Sequence, residues 1–337
     1  MTNIPDTDNR VTVLGAGSWG TALAILLAGN GFQVSLWGRH RDVMATMAEQ
    51  RVNTRYLPSI KFPDRLNVEP DFHKAVSAVK RILVVVPSHA FPDTLDRLHA
   101  ANPEPVTVVW GTKGLAPGGG RLLSELAAER LGKYTALAVI SGPSFATEVA
   151  RQLPAALTVA SHDIEAAEVI SAWFRNDRTR IYASSDMAGV QLGGAIKNVM
   201  AIATGISDGL GLGANSRAAL ITRGLAELTR LGQAFGGRIE TFMGLTGVGD
   251  LILTCTDDQS RNRRIGLGLG RGQTLAAVRQ HIGQETEGVD ATRELYNRSL
   301  ELGIDMPITT QVYRVLYEGC TPMAAVEALL TRDPSRE

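Results

Sequence analysis

The chain has 337 residues, 44% of them hydrophobic and 20% charged, with 34 basic and 34 acidic side chains and no formal net charge. That length exceeds an ordinary single core, so two domains are expected, and the charge balance offers nothing to attract a nucleic acid or an anionic lipid surface. Two cysteines, Cys255 and Cys320, and six histidines stand in no metal-ligand spacing, so no metal site is expected and a reducing cytoplasm fits best.

In chain order, a polar start, expected to fray, gives way to the apolar run VTVL at 11–14, then Gly15-Ala16-Gly17-Ser18-Trp19-Gly20, then the helix-forming run TALAILL at 21–27. This predicts strand, glycine turn and helix. Gly15 permits the tight turn, Gly17 lets a pyrophosphate approach the backbone, Gly20 lets helix and strand pack closely, and the anion sits at the helix N-terminus. The expected ligand is a dinucleotide. The same stretch is cut by glycines and lacks the flanks of a secretory signal or a membrane span.

Further strands are predicted at 33–37, 81–86, 106–110, 136–140 and 155–160, alternating with helical patterns such as 121–131 and 165–174. That alternation implies an α/β, Rossmann-like, doubly wound and largely parallel sheet. Beyond about residue 185 the strand-like runs stop, and long helical patterns follow at 187–206, 214–235, 291–302 and 308–317. We therefore expect a dinucleotide-binding domain over 1–186 and a mostly α-helical substrate and catalytic domain over 187–337, packed around one cleft.

After the second strand come Trp37-Gly38-Arg39-His40-Arg41, with no carboxylate before Asp42. An NAD site usually carries an acid here for the ribose 2′-OH, whereas Arg39 suits a 2′-phosphate, so NADP is at least tolerated beside NAD. The alternative is that Arg39 is a solvated loop cation.

Three places carry candidate chemistry. Lys113, flanked by Gly111 and Gly114 just past a strand's carboxyl end, either reaches a ligand or is an exposed loop lysine. Lys197 interrupts an otherwise apolar helical run at 190–202. Burial there, with a neighbouring cation such as Lys113, would lower its pKa toward acid/base use, and Gly193-Gly194 one turn earlier suggests something large packs against that face. Asp250 and Thr254 lie four apart on one helix face, although Asp250 could equally be an N-cap. The run Ser260-Arg261-Asn262-Arg263-Arg264 could clamp a phosphate at a helix start or simply be a solvated basic surface.

Together these pieces resemble the bacterial-type NAD(P)-dependent glycerol-3-phosphate dehydrogenase family, through GAGSWGTALA (15–24), LVVVPSHA (83–90), WGTKGL (110–115), SGPSFATEVA (141–150), QLGGAIKNVMAIA (191–203) and GLTGVGDLILTCTDDQSRNRR (244–264). The resemblance runs from about residue 10 to about 330. It implies reversible reduction of dihydroxyacetone phosphate to sn-glycerol 3-phosphate in the cytoplasm, supplying the backbone of phospholipids. It implies Lys197 as general acid/base, completed by Lys113 and Asp250 with Thr254 beside them. Gly142, Ser144, Asn198, Ser260, Arg261 and Asn262 join them on the substrate side. For the cofactor it points to Ser18, Trp19, Arg39, His40, Tyr56, Lys113, Ala146, Arg261, Glu285 and Glu287, beside the three turn glycines. Cofactor then binds the first domain and substrate fills the cleft.

Two departures stand out. Gln284-Glu285-Thr286-Glu287-Gly288 has an acid where a small apolar residue is expected, which bears on both Glu285 and Glu287, and Gly266, Gly268 and Gly270 weaken a segment that the family would make helical, predicting local mobility there. The rivals are a related two-domain reductase of a 3-hydroxy acid or of ketopantoate, and a non-catalytic dinucleotide sensor. A homodimer is the default assembly.

Overall fold

The structure, a computed structural model, describes residues 9–132, 136–284 and 286–332. They form two compact units, one of residues Met1–Thr112 and Leu123–Met187, the other of Lys113–Leu122 and Ala188–Glu337.

The first unit is built on eight strands: β1 (Arg10–Leu14), β2 (Gln33–Trp37), β3 (Leu66–Val68), β4 (Arg81–Val84), β5 (Thr107–Trp110), β6 (Ala136–Ser141), β7 (Ala155–Ala160) and β8 (Thr179–Ser184). Their order is β3-β2-β1-β4-β5-β6-β7-β8. Val13 of β1 lies in register with Leu36 of β2 and Leu83 of β4, both parallel. The central strands are apolar almost throughout because helices cover both faces; helix Ser18–Gly29 is buried from Gly20 to Ala28. β1 has β2 on one side and β4 on the other, which makes the carboxyl ends of β1 and β4 the topological switch point where such sheets bind ligands.

The sheet is parallel as expected except between β6 and β7, which run antiparallel. β3 and β8 were not legible in the sequence. β3 has only three residues, and β8 is an edge strand in which buried Thr179 and Ile181 alternate with exposed Arg180 and Tyr182, too short a pattern beside one partner to stand out.

The second unit is helical. Its centre is helix Met187–Gly209, buried on every face from residue 191 to 207, as an all-round apolar helix must be. Helices Gly213–Ala234, Ile239–Phe242, Asp250–Thr256, Arg261–Gly270, Leu275–Ile282, Glu287–Leu302, Pro307–Tyr317 and Pro322–Leu330 surround it, with a π-helical turn at Leu245–Gly249 ahead of Asp250.

The stretch holding Gly266, Gly268 and Gly270 is helical despite its glycines. A Cβ on Gly266 would lie 2.1 Å from the Ile202 carbonyl oxygen, and one on Gly270 2.4 Å from that of Ile206. From the other side, a Cβ on Gly205 would lie 2.2 Å from the Arg263 carbonyl oxygen. The glycines therefore let two helix backbones touch, and packing supplies what intrinsic propensity lacks.

Candidate active site

In the first unit, the glycine turn has the form a dinucleotide requires. Gly15 has φ +124°, and a Cβ there would lie 2.2 Å from the Val85 carbonyl oxygen; one on Gly20 would lie 1.9 Å from that of Gly15. Gly17 faces open space. Two glycines are thus consumed by packing while the third leaves the backbone open to a ligand. Gly17 caps helix Ser18–Gly29 with no side-chain bond, and no acidic residue sits in its first turn, so this helix N-terminus is available to an anion. The Trp19 indole Nε1 is a buried donor without a partner in the structure. These residues fit a bound dinucleotide.

Buried Asn53 ties a neighbouring loop to this turn: its Nδ2 donates to the Ala16 carbonyl at 3.0 Å and to Thr21 Oγ1 at 2.8 Å, while its Oδ1 accepts from the Tyr56 N–H at 3.3 Å. Sequence reading passed over Asn53, whose only signal was its place three residues before Tyr56. Arg39 and His40 follow β2 and are exposed. Gly142, with φ +140°, and Ser144, whose hydroxyl donates to the Gly142 carbonyl at 3.0 Å, form the turn after β6, and Ala146 opens the next helix. Glu285 lies outside the described residues.

Lys113, Lys197, Asp250 and Thr254 meet in the second unit. The central helix carries Lys197, which is 6% exposed, so it is no surface lysine. Its Nζ lies 2.5 Å from Asp250 Oδ1 and donates to Thr254 Oγ1 at 3.0 Å. Asp250 Oδ2 takes Lys113 at 3.0 Å. Asp250 is fully buried and opens helix Asp250–Thr256, but Gly249 is the N-cap and Asp250 spends its carboxylate on the two lysines. Thr254, one turn on, donates to the Asp250 carbonyl at 2.7 Å.

Burial is the main pressure on Lys197; with the Lys113 cation it outweighs the pull of Asp250 and lowers the pKa to about 7. For Lys113, burial is overcome by the Asp250 carboxylate, with Glu287 adding to it, and the pKa is raised. Burial opposes ionisation of Asp250, but the two lysines prevail and hold it below the usual carboxylate range. A buried ion pair is poor value for stability alone, and perturbed groups of this kind cluster at functional sites.

Around this trio the structure gathers further candidates. Ser260 caps helix Arg261–Gly270, accepting from the Arg263 N–H at 3.2 Å. Asn262 Oδ1 accepts from the Gly288 N–H at 3.1 Å, which leaves its amide NH₂ as the group to offer a ligand. A Cβ on Gly288 would lie 2.6 Å from Asn262 Oδ1 and 3.0 Å from the Asn198 carbonyl oxygen, so Gly288 joins both asparagines to the start of the helix that carries Glu287. Arg261 is partly buried and has no ion-pair partner among the described residues. Arg263 follows neither sequence alternative, phosphate clamp or solvated surface: it is buried, its Nε meets Asp258 at 2.9 Å, and its NH1 meets Asp208 at 2.5 Å and the Cys255 carbonyl at 3.2 Å. It braces the site's helices. No run of sequence pairs Arg263 with Asp208, which is why reading residues in order missed it.

A doubly wound nucleotide-binding sheet and a separate helical unit with a buried lysine–carboxylate site define a two-part nicotinamide-dependent oxidoreductase. Among the described residues no group of three or more His, Cys, Asp or Glu could hold a metal, and no helix is long and apolar enough to cross a membrane. Comparison with known proteins narrows the class. The model of the NAD-dependent glycerol-3-phosphate dehydrogenase N-terminus matches residues 10–167, and that of the C-terminus matches 186–327. The chain belongs to this family. It is 57% identical over 327 residues to a glycerol-3-phosphate dehydrogenase [NAD(P)+] of Thioalkalivibrio sulfidiphilus, covering 97% of this chain and 98% of that one. It is 55% identical over 330 residues to that of Pseudoalteromonas translucida, covering 98% of each. The crystal structure of glycerol-3-phosphate dehydrogenase from Coxiella burnetii superposes with a TM-score of 0.93 at 48% identity, over 96% of this chain and 99% of that one. The readings as a ketopantoate or 3-hydroxy acid reductase and as a sensor are not favoured.

Proposed function

We propose that this protein reduces dihydroxyacetone phosphate reversibly to sn-glycerol 3-phosphate with NADPH or NADH. The observation that carries this reading is the buried Lys197, held by Asp250 and Thr254 beside a second, partly buried cation, Lys113. The nicotinamide, when bound, supplies the hydride to the carbonyl carbon or accepts it in reverse. Lys197 gives its proton to the carbonyl oxygen as negative charge develops there, and takes it back in the oxidation. Lys113 stabilises the same developing alkoxide, and Asp250 keeps both lysines in place.

Arg261 and the Asn262 amide, with Ser260 and the helix N-terminus they share, hold the substrate phosphate, while Asn198, Gly142 and Ser144 line the substrate. Ser18, Trp19, Arg39, His40, Tyr56, Ala146 and the glycine turn hold the cofactor, with Lys113, Arg261, Glu285 and Glu287 contributing. The enzyme acts as a cytoplasmic homodimer and supplies glycerol 3-phosphate for phospholipid synthesis.

The test is oxidation of NADPH and of NADH by purified protein with dihydroxyacetone phosphate, unphosphorylated dihydroxyacetone or ketopantoate. Fast turnover with the phosphate alone is expected. Turnover of ketopantoate with none of the phosphate would leave Ser260, Arg261 and Asn262 without their role.

A further inference from the structure

The helix that carries Lys197 and the segment ahead of Asp250 touch backbone to backbone, one helical turn before their ion pair. Gly193 lies four residues before Lys197, and Thr246 lies four before Asp250. A Cβ on Gly193 would sit 2.1 Å from the Thr246 carbonyl oxygen, 2.8 Å from its carbonyl carbon and 3.4 Å from the Gly247 nitrogen. Real Cβ contacts do not fall below 3.0 Å, so any side chain at 193 must push that carbonyl away by roughly an ångström.

The turn has nowhere else to go. Thr246 is 1% exposed. On the far side, a Cβ on Gly247 would lie 1.9 Å from the Phe242 carbonyl oxygen, so the turn is held between the Phe242 backbone and the Lys197 helix. Its π-helical bonding, closed by the Gly249 N–H on the Gly244 carbonyl at 3.1 Å, delivers Asp250 directly into its helix.

The geometry points to Gly193 as a positioning residue: by lacking a side chain it seats the turn ahead of Asp250 on the helix one turn below Lys197, and so sets the contact between the two. This rests on Lys197 being the acid/base group. The titratable groups that face Lys197 are Asp250 and Cys255 from one helix and Lys113 from the 113–122 segment, with Glu287 acting on Lys113. Asp250 is the anion in contact with Lys197. With it withdrawn, burial and Lys113 act on Lys197 less opposed, and Lys197 loses its proton at lower pH.

The experiment is the pH profile of kcat for dihydroxyacetone phosphate reduction in Gly193→Ala, Asp250→Glu and the double variant, with thermal melts and NADPH titrations as controls. Gly193→Ala is expected to bind NADPH normally, lose about tenfold or more in kcat, and move the descending limb down by about one pH unit. Asp250→Glu alone crowds a gap sized for Asp and loses a similar factor. In the double variant the added methylene spans the widened gap, and kcat returns to within about threefold of wild type, with its limb.

A wild-type kcat and limb in Gly193→Ala, or a double variant no better than the worse single, overturns the inference. Should Gly193→Ala not fold, the double variant decides: recovered folding with kcat above that of Asp250→Glu supports the fixed spacing, and no recovery overturns it. Turnover surviving in Lys197→Met would sink the acid/base reading itself, whereas lost turnover there with an unmoved Gly193→Ala limb sinks only the role of Gly193.

Discussion

Lys113 and Lys197 share one carboxylate: Asp250 gives Oδ2 to the first at 3.0 Å and Oδ1 to the second at 2.5 Å. Two cations against one anion leave the site short of negative charge, the condition that favours an alkoxide over a neutral carbonyl. The two lysines are not equivalent, because burial and its neighbour lower the pKa of Lys197 to about 7 while Asp250 raises that of Lys113.

Lys197 must be protonated to act as an acid and neutral to act as a base. Carbonyl reduction is therefore expected to slow as pH rises through about 7, and the reverse oxidation to slow as pH falls through it. Asp250→Asn removes the attraction that keeps the proton on Lys197, so the reduction limb should move to lower pH and kcat should fall by about tenfold or more. On the proposed acid/base role, Lys197→Ala should abolish turnover yet bind cofactor normally, since that role is played in the transition state and not in dinucleotide binding. Profiles of kcat in both directions, with NADPH fluorescence titration, check this; an unmoved limb in Asp250→Asn contradicts it.

Arg39 is exposed after β2, where an acid would select NAD. Arg39→Ala should raise KM about tenfold for NADPH and much less for NADH, because only NADPH carries the 2′-phosphate. Equal losses in kcat/KM for the two cofactors would mean that Arg39 does not read that phosphate.

Glu227 is 1% exposed and receives the Ile308 N–H at 2.5 Å, the Thr309 N–H at 3.1 Å and the Thr309 hydroxyl at 2.8 Å, capping helix Pro307–Tyr317. Burial pushes its pKa up from 4.5 to about 7 against those donors. A raised folded pKa means that the native state keeps a proton the unfolded chain has lost. Its contribution is thus full below pH 4.5 and is lost as pH rises toward 7. Glu227→Gln cannot ionise; its single amide oxygen can serve Ile308 or Thr309 but not both, so it starts from a lower melting temperature and is compared by slope. Melting temperatures measured from pH 4.5 to 8 should show a decline across that window in the wild type and less of one in Glu227→Gln; parallel curves would refute the assignment.

Gly266→Ala tests the helix crossing. Alanine has the better helix propensity by about 1 kcal/mol, so propensity alone predicts stabilisation. Its Cβ would meet the Ile202 carbonyl oxygen at 2.1 Å. We expect a net loss of about 1–3 kcal/mol and a lower melting temperature, the overpacking cost prevailing. A higher melting temperature would show that the two helices can separate freely.

Much of this architecture is legible in residue order because its signals are local. The glycine turn after VTVL marks the first βα unit, since each glycine there answers a backbone requirement within a few residues or at an adjacent strand. Lys197 stands out as a charge in an apolar run, and Asp250 and Thr254 share a helix face by spacing alone. What needed the tertiary structure is long-range. Sequence could not say which of two lysines Asp250 would face, and it faces both. It left the run 260–264 open between a phosphate clamp and a solvated surface, when Arg263 is buried against Asp208 and Asp258, and read Gly266 and Gly270 as weak points, when they are contact points. It expected one boundary near residue 186, and the placement of the segment Lys113–Leu122 with the second unit came only from the fold. Patterning reports which face of an element is buried, whereas the partner on that face is set by packing between segments far apart in the chain, where no period in the sequence records it.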